Sequence, residues 1–121
     1  MIIRKSFKFD AAHNLVRYHG KCEALHGHTY RLNVGVRGVP DEEGMVIDFL
    51  DLKEIVGEKV ISRLDHSYIN DIIPQPTAEN IAVWIWGQIE GPISAKECSL
   101  AEVEVWETEN SSVFLRAEDM R

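Results

Sequence analysis

The sequence predicts an α+β fold with elements in the order ββααββ, and three patterns carry that prediction. Apolar residues alternate with polar ones near both ends of the chain, as in strands with one buried face. Between those ends, two stretches set apolar residues at three- and four-residue steps, the spacing of amphipathic helices. Clusters of glycine, proline and small polar residues separate the stretches. A chain of 121 residues has material for one core, so a single domain over residues 1–121 is expected.

The first strand is read over Ile2 to Phe9, with Ile3, Phe7 and Phe9 on one face, and its parity carries on to Ala11 and His13. Residues 14–25 are turn-forming and polar, a connecting loop. The second strand runs from about Thr29 to Arg37, where Tyr30, Leu32, Val34 and Val36 alternate with polar residues. Gly38 to Gly44 makes a turn, and Met45-Val46-Ile47 is read as a short strand. Asp48 caps a first helix from Phe49 to about Leu64, whose buried stripe is Phe49, Leu52, Ile55, Val56, Val60 and Leu64. Asp65 to Asp71 is loop, and Pro74-Gln75-Pro76 forbids helix. Thr77 caps a second helix that runs to about Ile89, apolar nearly all round, with Gly91-Pro92 ending it. Two further strands, Ala101 to Glu107 and Ser112 to Ala117, form a hairpin across Asn110-Ser111.

Charge and hydropathy exclude several classes of partner. Thirteen Lys and Arg stand against twenty Asp and Glu, a formal net charge of −7, which argues against a general binder of nucleic acid or of anionic membranes. No apolar run approaches the ~20 residues of a membrane span, and Met1-Ile2-Ile3-Arg4-Lys5 lacks a signal-peptide pattern, so a cytoplasmic location is expected. In that reducing compartment Cys22 and Cys98 stay unpaired, and Cys98 is incidental.

The chemistry concentrates around Cys22-Glu23-Ala24-Leu25-His26-Gly27-His28. Side chains alternate along a strand, so His26 and His28 project from one face, and His13 has the parity to join them. Three imidazoles hold a tetrahedral zinc with its fourth position open, the arrangement of a catalytic site. His19, alone in the loop, is left out. Asp65-His66 is an adjacent acid–imidazole pair, and Glu107 shares the apolar face of Ala101, Val103 and Val105, where a carboxylate is costly unless something binds it. Zinc beside a thiol, an imidazole and carboxylates suits proton transfer at a carbon next to a metal-polarised oxygen. Blander readings stand beside each piece: Cys22 as a fourth zinc ligand, Asp65-His66 as a polar helix exit, Glu107 as the partner of an arginine.

Taken in order, Phe9-Asp10-Ala11-Ala12-His13, Cys22-x-x-x-His26-Gly27-His28, Gly44-Met45-Val46-Ile47-Asp48-Phe49, Leu64-Asp65-His66, Pro76-Thr77-x-Glu79-Asn80 and Glu107 resemble the 6-pyruvoyl-tetrahydropterin synthase and 6-carboxytetrahydropterin synthase family over nearly the whole chain. The resemblance implies the tunnelling fold: a four-stranded antiparallel sheet with two helices on one face, assembled through edge strands into a barrel-like homo-oligomer, a hexamer built as a dimer of trimers. It implies that His13, His26 and His28 hold zinc, that Cys22 accepts a proton, that Asp65 and His66 relay protons, that Glu107 anchors a pterin ring, and that Thr77 contacts substrate. It also implies active sites between subunits. The three-residue gap between Cys22 and His26 resembles the bacterial branch serving queuosine and 7-deazaguanine synthesis. On that resemblance the expected substrate is 7,8-dihydroneopterin triphosphate, converted to 6-carboxy-5,6,7,8-tetrahydropterin with loss of acetaldehyde and triphosphate. The alternatives are a 6-pyruvoyl-tetrahydropterin synthase, a dihydroneopterin side-chain lyase, and a non-catalytic domain stapled by zinc through four protein ligands, Cys22 among them.

Overall fold

The structure is a computed structural model and describes residues 1–120. Strands β1 (Ile2–His13) and β2 (His26–Arg37) are followed by helices α1 (Phe49–Val56) and α2 (Ser62–Leu64), strand β3 (Ser67–Tyr68), helix α3 (Ala78–Ser94) and strands β4 (Ser99–Thr108) and β5 (Ser111–Arg116). They build one mixed sheet in the order β3-β1-β2-β4-β5. The pairs β1–β2, β2–β4 and β4–β5 are antiparallel, the first two as the family resemblance implies and the last as the hairpin read from the sequence.

The expected four-stranded antiparallel sheet is corrected by β3, which adds a fifth strand parallel to β1 through Ala11–Ser67 and Ala12–Tyr68. Two residues carry no periodicity that a sequence pattern can register. What lays them beside β1 is the turn at His66, held at φ 58°, whose N–H donates to the Asp10 carbonyl at 2.6 Å.

The core lies between one sheet face and the helices. Tyr30, Leu32, Val34 and Val36 from β2 and Val103 and Val105 from β4 are fully buried against Leu52, Val56, Ile81, Ile85, Ile89 and Ile93. α1 and α2 form one rod joined by a π-turn over Gly57–Ile61. Its buried residues Leu52, Val56, Val60 and Leu64 recur at strict four-residue steps. In a regular α-helix each such step drifts about 40° around the axis. The wider turn reverses the drift and keeps all four on the sheet.

Two further expectations are corrected. Met45-Val46-Ile47 is not a strand, because the Asp41 carboxylate captures the N–H groups of Glu43 (2.9 Å) and Met45 (3.1 Å) in a closed turn, with Gly44 at φ 81°. Nor does Gly91-Pro92 end the second helix, which runs to Ser94 with Pro92 inside it. Pro92 forfeits a single bond, to the carbonyl one turn back. Burial of Ile93, worth roughly 1.5–3 kcal/mol, holds that last turn on the core. Both expected caps are present: Asp48 accepts from the Leu50 N–H and Thr77 from the Asn80 N–H.

Candidate metal centre and active site

His13 ends β1 and His26 begins β2, directly opposite each other in the ladder, with His28 two residues further on. Their rings stand nearly perpendicular, at 67°, 78° and 89° to one another, and their Nε2 atoms converge. His13 Nδ1 lies 2.8 Å from the Pro76 carbonyl and His26 Nδ1 2.9 Å from the Ala24 carbonyl. A carbonyl only accepts, so each Nδ1 carries the hydrogen and, in the neutral ring, leaves Nε2 as a bare lone pair. Those two Nε2 atoms are 3.1 Å apart.

Glu107 completes the group. Its Oε1 is 3.2 Å from the Nε2 of both His13 and His28, and the ligand atoms of His13, His26, His28 and Glu107 all lie within 4.8 Å of one another. The carboxylate arrives there through a bulge: the β4–β5 ladder pairs Trp106 with Ser112 and Thr108 with Ser111, leaving Glu107 out of register and aimed at the histidines. His28 Nε2 is buried and, despite its distance to Glu107, has no aligned hydrogen-bond partner among the described residues. Burial pushes the His28 imidazole below its ordinary pKa against the pull of Glu107, which favours the neutral ligand form.

Lone pairs facing lone pairs and a carboxylate at about 3 Å repel unless a cation sits among them. The donor set of imidazole nitrogens and one carboxylate oxygen fits a divalent transition ion, zinc among them. His13, His26 and His28 are the residues that can hold it, with Glu107 within reach.

Tyr30 forms the floor. It stacks on Phe9 at 4.9 Å, its ring meets those of His13 and His28 edge to face, and among the described residues its buried hydroxyl has no partner. Burial, with the Glu107 and Glu23 carboxylates, pushes that hydroxyl well above the usual tyrosine pKa, so it stays protonated.

Cys22 does not join the metal group. It is exposed in the loop after β1, its thiol directed to the Val16 carbonyl at 3.6 Å, and among the described residues it belongs to no metal-ligating cluster. Asp65 and His66 form a separate group with Asp10. Asp65 Oδ2 is 3.1 Å from His66 Nδ1, and Asp65 Oδ1 accepts from the Asp10 N–H at 3.0 Å. That N–H, then His66, holds the Asp65 carboxyl below the usual carboxylate range. The Asp10 side chain is itself fixed by the Thr29 hydroxyl at 2.6 Å. Thr77 caps α3 one residue beyond the carbonyl that orients His13.

Sequence patterns locate the histidines but miss the groups that orient them. Pro76 supplies a carbonyl, which any residue has, and Asn70 and Gln75, which hold the Cys22 loop, lie in stretches that read only as loop and as helix breaker. Tyr30 is legible as a core residue, and its ring's contact with two histidines follows from the shared parity.

Comparison with known proteins finds relatives over most of the chain. Residues 2–118 match the family model described as 6-pyruvoyl tetrahydropterin synthase. The 6-carboxy-5,6,7,8-tetrahydropterin synthase of Synechocystis sp. is 43% identical over 114 residues, covering 88% of this chain and 86% of that protein. The dihydroneopterin monophosphate aldolase of Pyrococcus furiosus is 41% identical over 107 residues, covering 88% of this chain and 90% of that protein. Among solved structures, the 6-pyruvoyl tetrahydropterin synthase of Caenorhabditis elegans superposes with a TM-score of 0.84 at 25% identity, over 97% of this chain and 95% of that one. The chain is an enzyme of the 6-pyruvoyl tetrahydropterin synthase family.

Proposed function

We propose that the enzyme converts 7,8-dihydroneopterin triphosphate to 6-carboxy-5,6,7,8-tetrahydropterin, releasing acetaldehyde and triphosphate, as a cytoplasmic homo-oligomer in queuosine or 7-deazaguanine synthesis. The observation that carries the reading is the convergence of three imidazoles beside a carboxylate, two of them, His13 and His26, with their tautomer fixed by a carbonyl on Nδ1. Support for this branch comes from the 43% identical relative named for that product.

Zinc held by His13, His26 and His28 would polarise the side-chain oxygens of the substrate and acidify the neighbouring C–H bonds. Glu107 accepts paired hydrogen bonds from the guanidine-like edge of the pterin, which fixes the ring. Cys22 takes the proton from carbon, and His66, braced by Asp65, manages its return. Thr77 spends its oxygen on the helix cap and retains a hydroxyl hydrogen to donate to substrate.

Mass analysis of products from 7,8-dihydroneopterin triphosphate, with metal analysis of the purified protein, tests this reading. Carboxytetrahydropterin with acetaldehyde supports it, and a retained three-carbon side chain refutes it. The aldolase relative, at nearly equal identity, favours a second reading, in which the side chain leaves as an aldehyde and no carboxyl group forms. Glu107→Ala should abolish turnover while the metal stays bound. Loss of the metal together with activity would make Glu107 a ligand rather than an anchor.

A further inference from the structure

Cys22 sits in a loop whose own bonds are one small bridge, Tyr18 with Lys21, and a Leu15–Glu23 pair, the Glu23 N–H on the Leu15 carbonyl at 2.8 Å and the Leu15 N–H on Glu23 Oε1 at 3.2 Å. These close the loop on itself, so something else must anchor it, and the thiol with it, to the rest of the chain. The hydrogen bonds of residues 14–23 identify what does. Gln75 Oε1 accepts from the Val16 N–H at 2.9 Å and the Arg17 N–H at 3.1 Å, and Gln75 Nε2 donates to the Arg17 carbonyl at 2.9 Å. The side-chain amide thus stands in for a neighbouring strand along one edge of residues 16–17. On the other edge, the Val16 carbonyl receives the Cys22 thiol. Asn70 clamps Asn14 in the same fashion from both its amide atoms, at 3.1 and 2.8 Å.

Gln75 is a stiff support. Proline on both sides restricts its backbone, and its carbonyl accepts from Asn80 Nδ2 at 2.8 Å. The next carbonyl, of Pro76, orients His13 at 2.8 Å. One rigid brace therefore holds a metal-site imidazole through its backbone and the thiol loop through its side chain.

We propose that Gln75 is a positioning residue that sets the Cys22 thiol relative to the histidine centre. This rests on the reading that Cys22 takes the substrate proton, and on no other part of the proposed function. Displacement of a reacting group by about 1 Å costs up to about a hundredfold in rate. Gln75→Ala should therefore lower kcat about ten- to a hundredfold with KM within about threefold, since the pterin is held elsewhere. Gln75→Glu keeps an acceptor for both N–H groups but replaces the donor to the Arg17 carbonyl by a second acceptor, so it should recover only part of the rate, whereas Gln75→Asn is too short to reach and should recover none.

The experiment is steady-state kinetics of these variants, with metal content and the rate of Cys22 alkylation by iodoacetamide, Cys98 serving as the internal reference. Alkylation of Cys22 should be several-fold faster in Gln75→Ala, because the thiol loses its hold on the Val16 carbonyl. An unchanged kcat with an unchanged alkylation rate overturns the proposal. So does loss of metal and cooperative unfolding along with activity, which would make Gln75 a support of the fold alone. If the parent protein itself fails to turn over the pterin, the functional reading falls. The alkylation rates then judge the brace by themselves: a difference between parent and Gln75→Ala upholds it, and equal rates sink it.

Discussion

A buried hydroxyl without a partner forgoes about 1–3 kcal/mol of hydrogen bonding, and Tyr30 carries one beneath the metal centre. Removing the oxygen while keeping the ring preserves the stack on Phe9 and the edges against His13 and His28. Tyr30→Phe should accordingly leave the metal-free protein as stable as the parent or raise its stability by about 1 kcal/mol, measured by urea unfolding. A loss of that size would show that the hydroxyl bonds to water or to Glu107 in solution. At this scale the sequence was most legible where parity alone decides. His13, His26 and His28 share a face because strand side chains alternate, and no finer knowledge is needed to group them. Glu107 was legible only in part. Its parity on β4 marks it as a carboxylate on the core side, but its approach to two imidazoles depends on a bulge that no alternation predicts.

Elements meet on the sheet face turned away from the helices, where Glu102 of β4 lies across Gly35 of β2 to reach Arg4 of β1. Arg4 Nε and Nη2 donate to the two carboxylate oxygens at 2.7 and 3.0 Å. A Cβ at position 35 would stand 2.5 Å from Glu102 Oε1 and 3.0 Å from its Cβ, so Gly35→Ala must push the glutamate aside. Alanine gains roughly 0.5–1 kcal/mol over glycine in a strand, while crowding costs roughly 1–3 kcal/mol. The crowding wins, and a net loss of about 1 kcal/mol in urea unfolding is expected. The same contact gives a pH dependence of definite sign. Arg4 holds the Glu102 carboxyl below the usual glutamate range. The contribution is thus complete above the unfolded value of about 4.3 and is lost as pH falls through the lower, folded value. With Arg4 66% exposed and Glu102 13% exposed, it amounts to under about 1 kcal/mol. Melting temperatures of Glu102→Gln and parent should differ at neutral pH and converge below about pH 4. Elements were legible wherever a pattern had length to declare itself. The five-residue π-turn and the two-residue β3 were not, since a packed neighbour rather than a local sequence preference forms each.

Within one chain Cys22 stands outside the group that Asp65 and His66 form with Asp10, and both sheet edges, β3 and β5, are open. An open edge such as Ser111–Arg116 presents unpaired backbone groups that a second copy of the chain can pair with. If oligomerisation brings Cys22 of one subunit to His66 of its neighbour, two inactive variants can repair each other. Cys22→Ala and His66→Ala chains, each inactive alone, are mixed in equal amounts, unfolded and refolded together. In a random assembly, about one quarter of the intersubunit sites receive an intact Cys22 from one chain and an intact His66 from the other. Activity should return to about that fraction of the parent's, and dilution to single subunits should abolish it. Were both residues drawn from the same chain, every site would lack one of them, and the mixture would stay as inactive as its components. The result separates a site shared between subunits from one closed within a single subunit, independently of which pterin is the substrate.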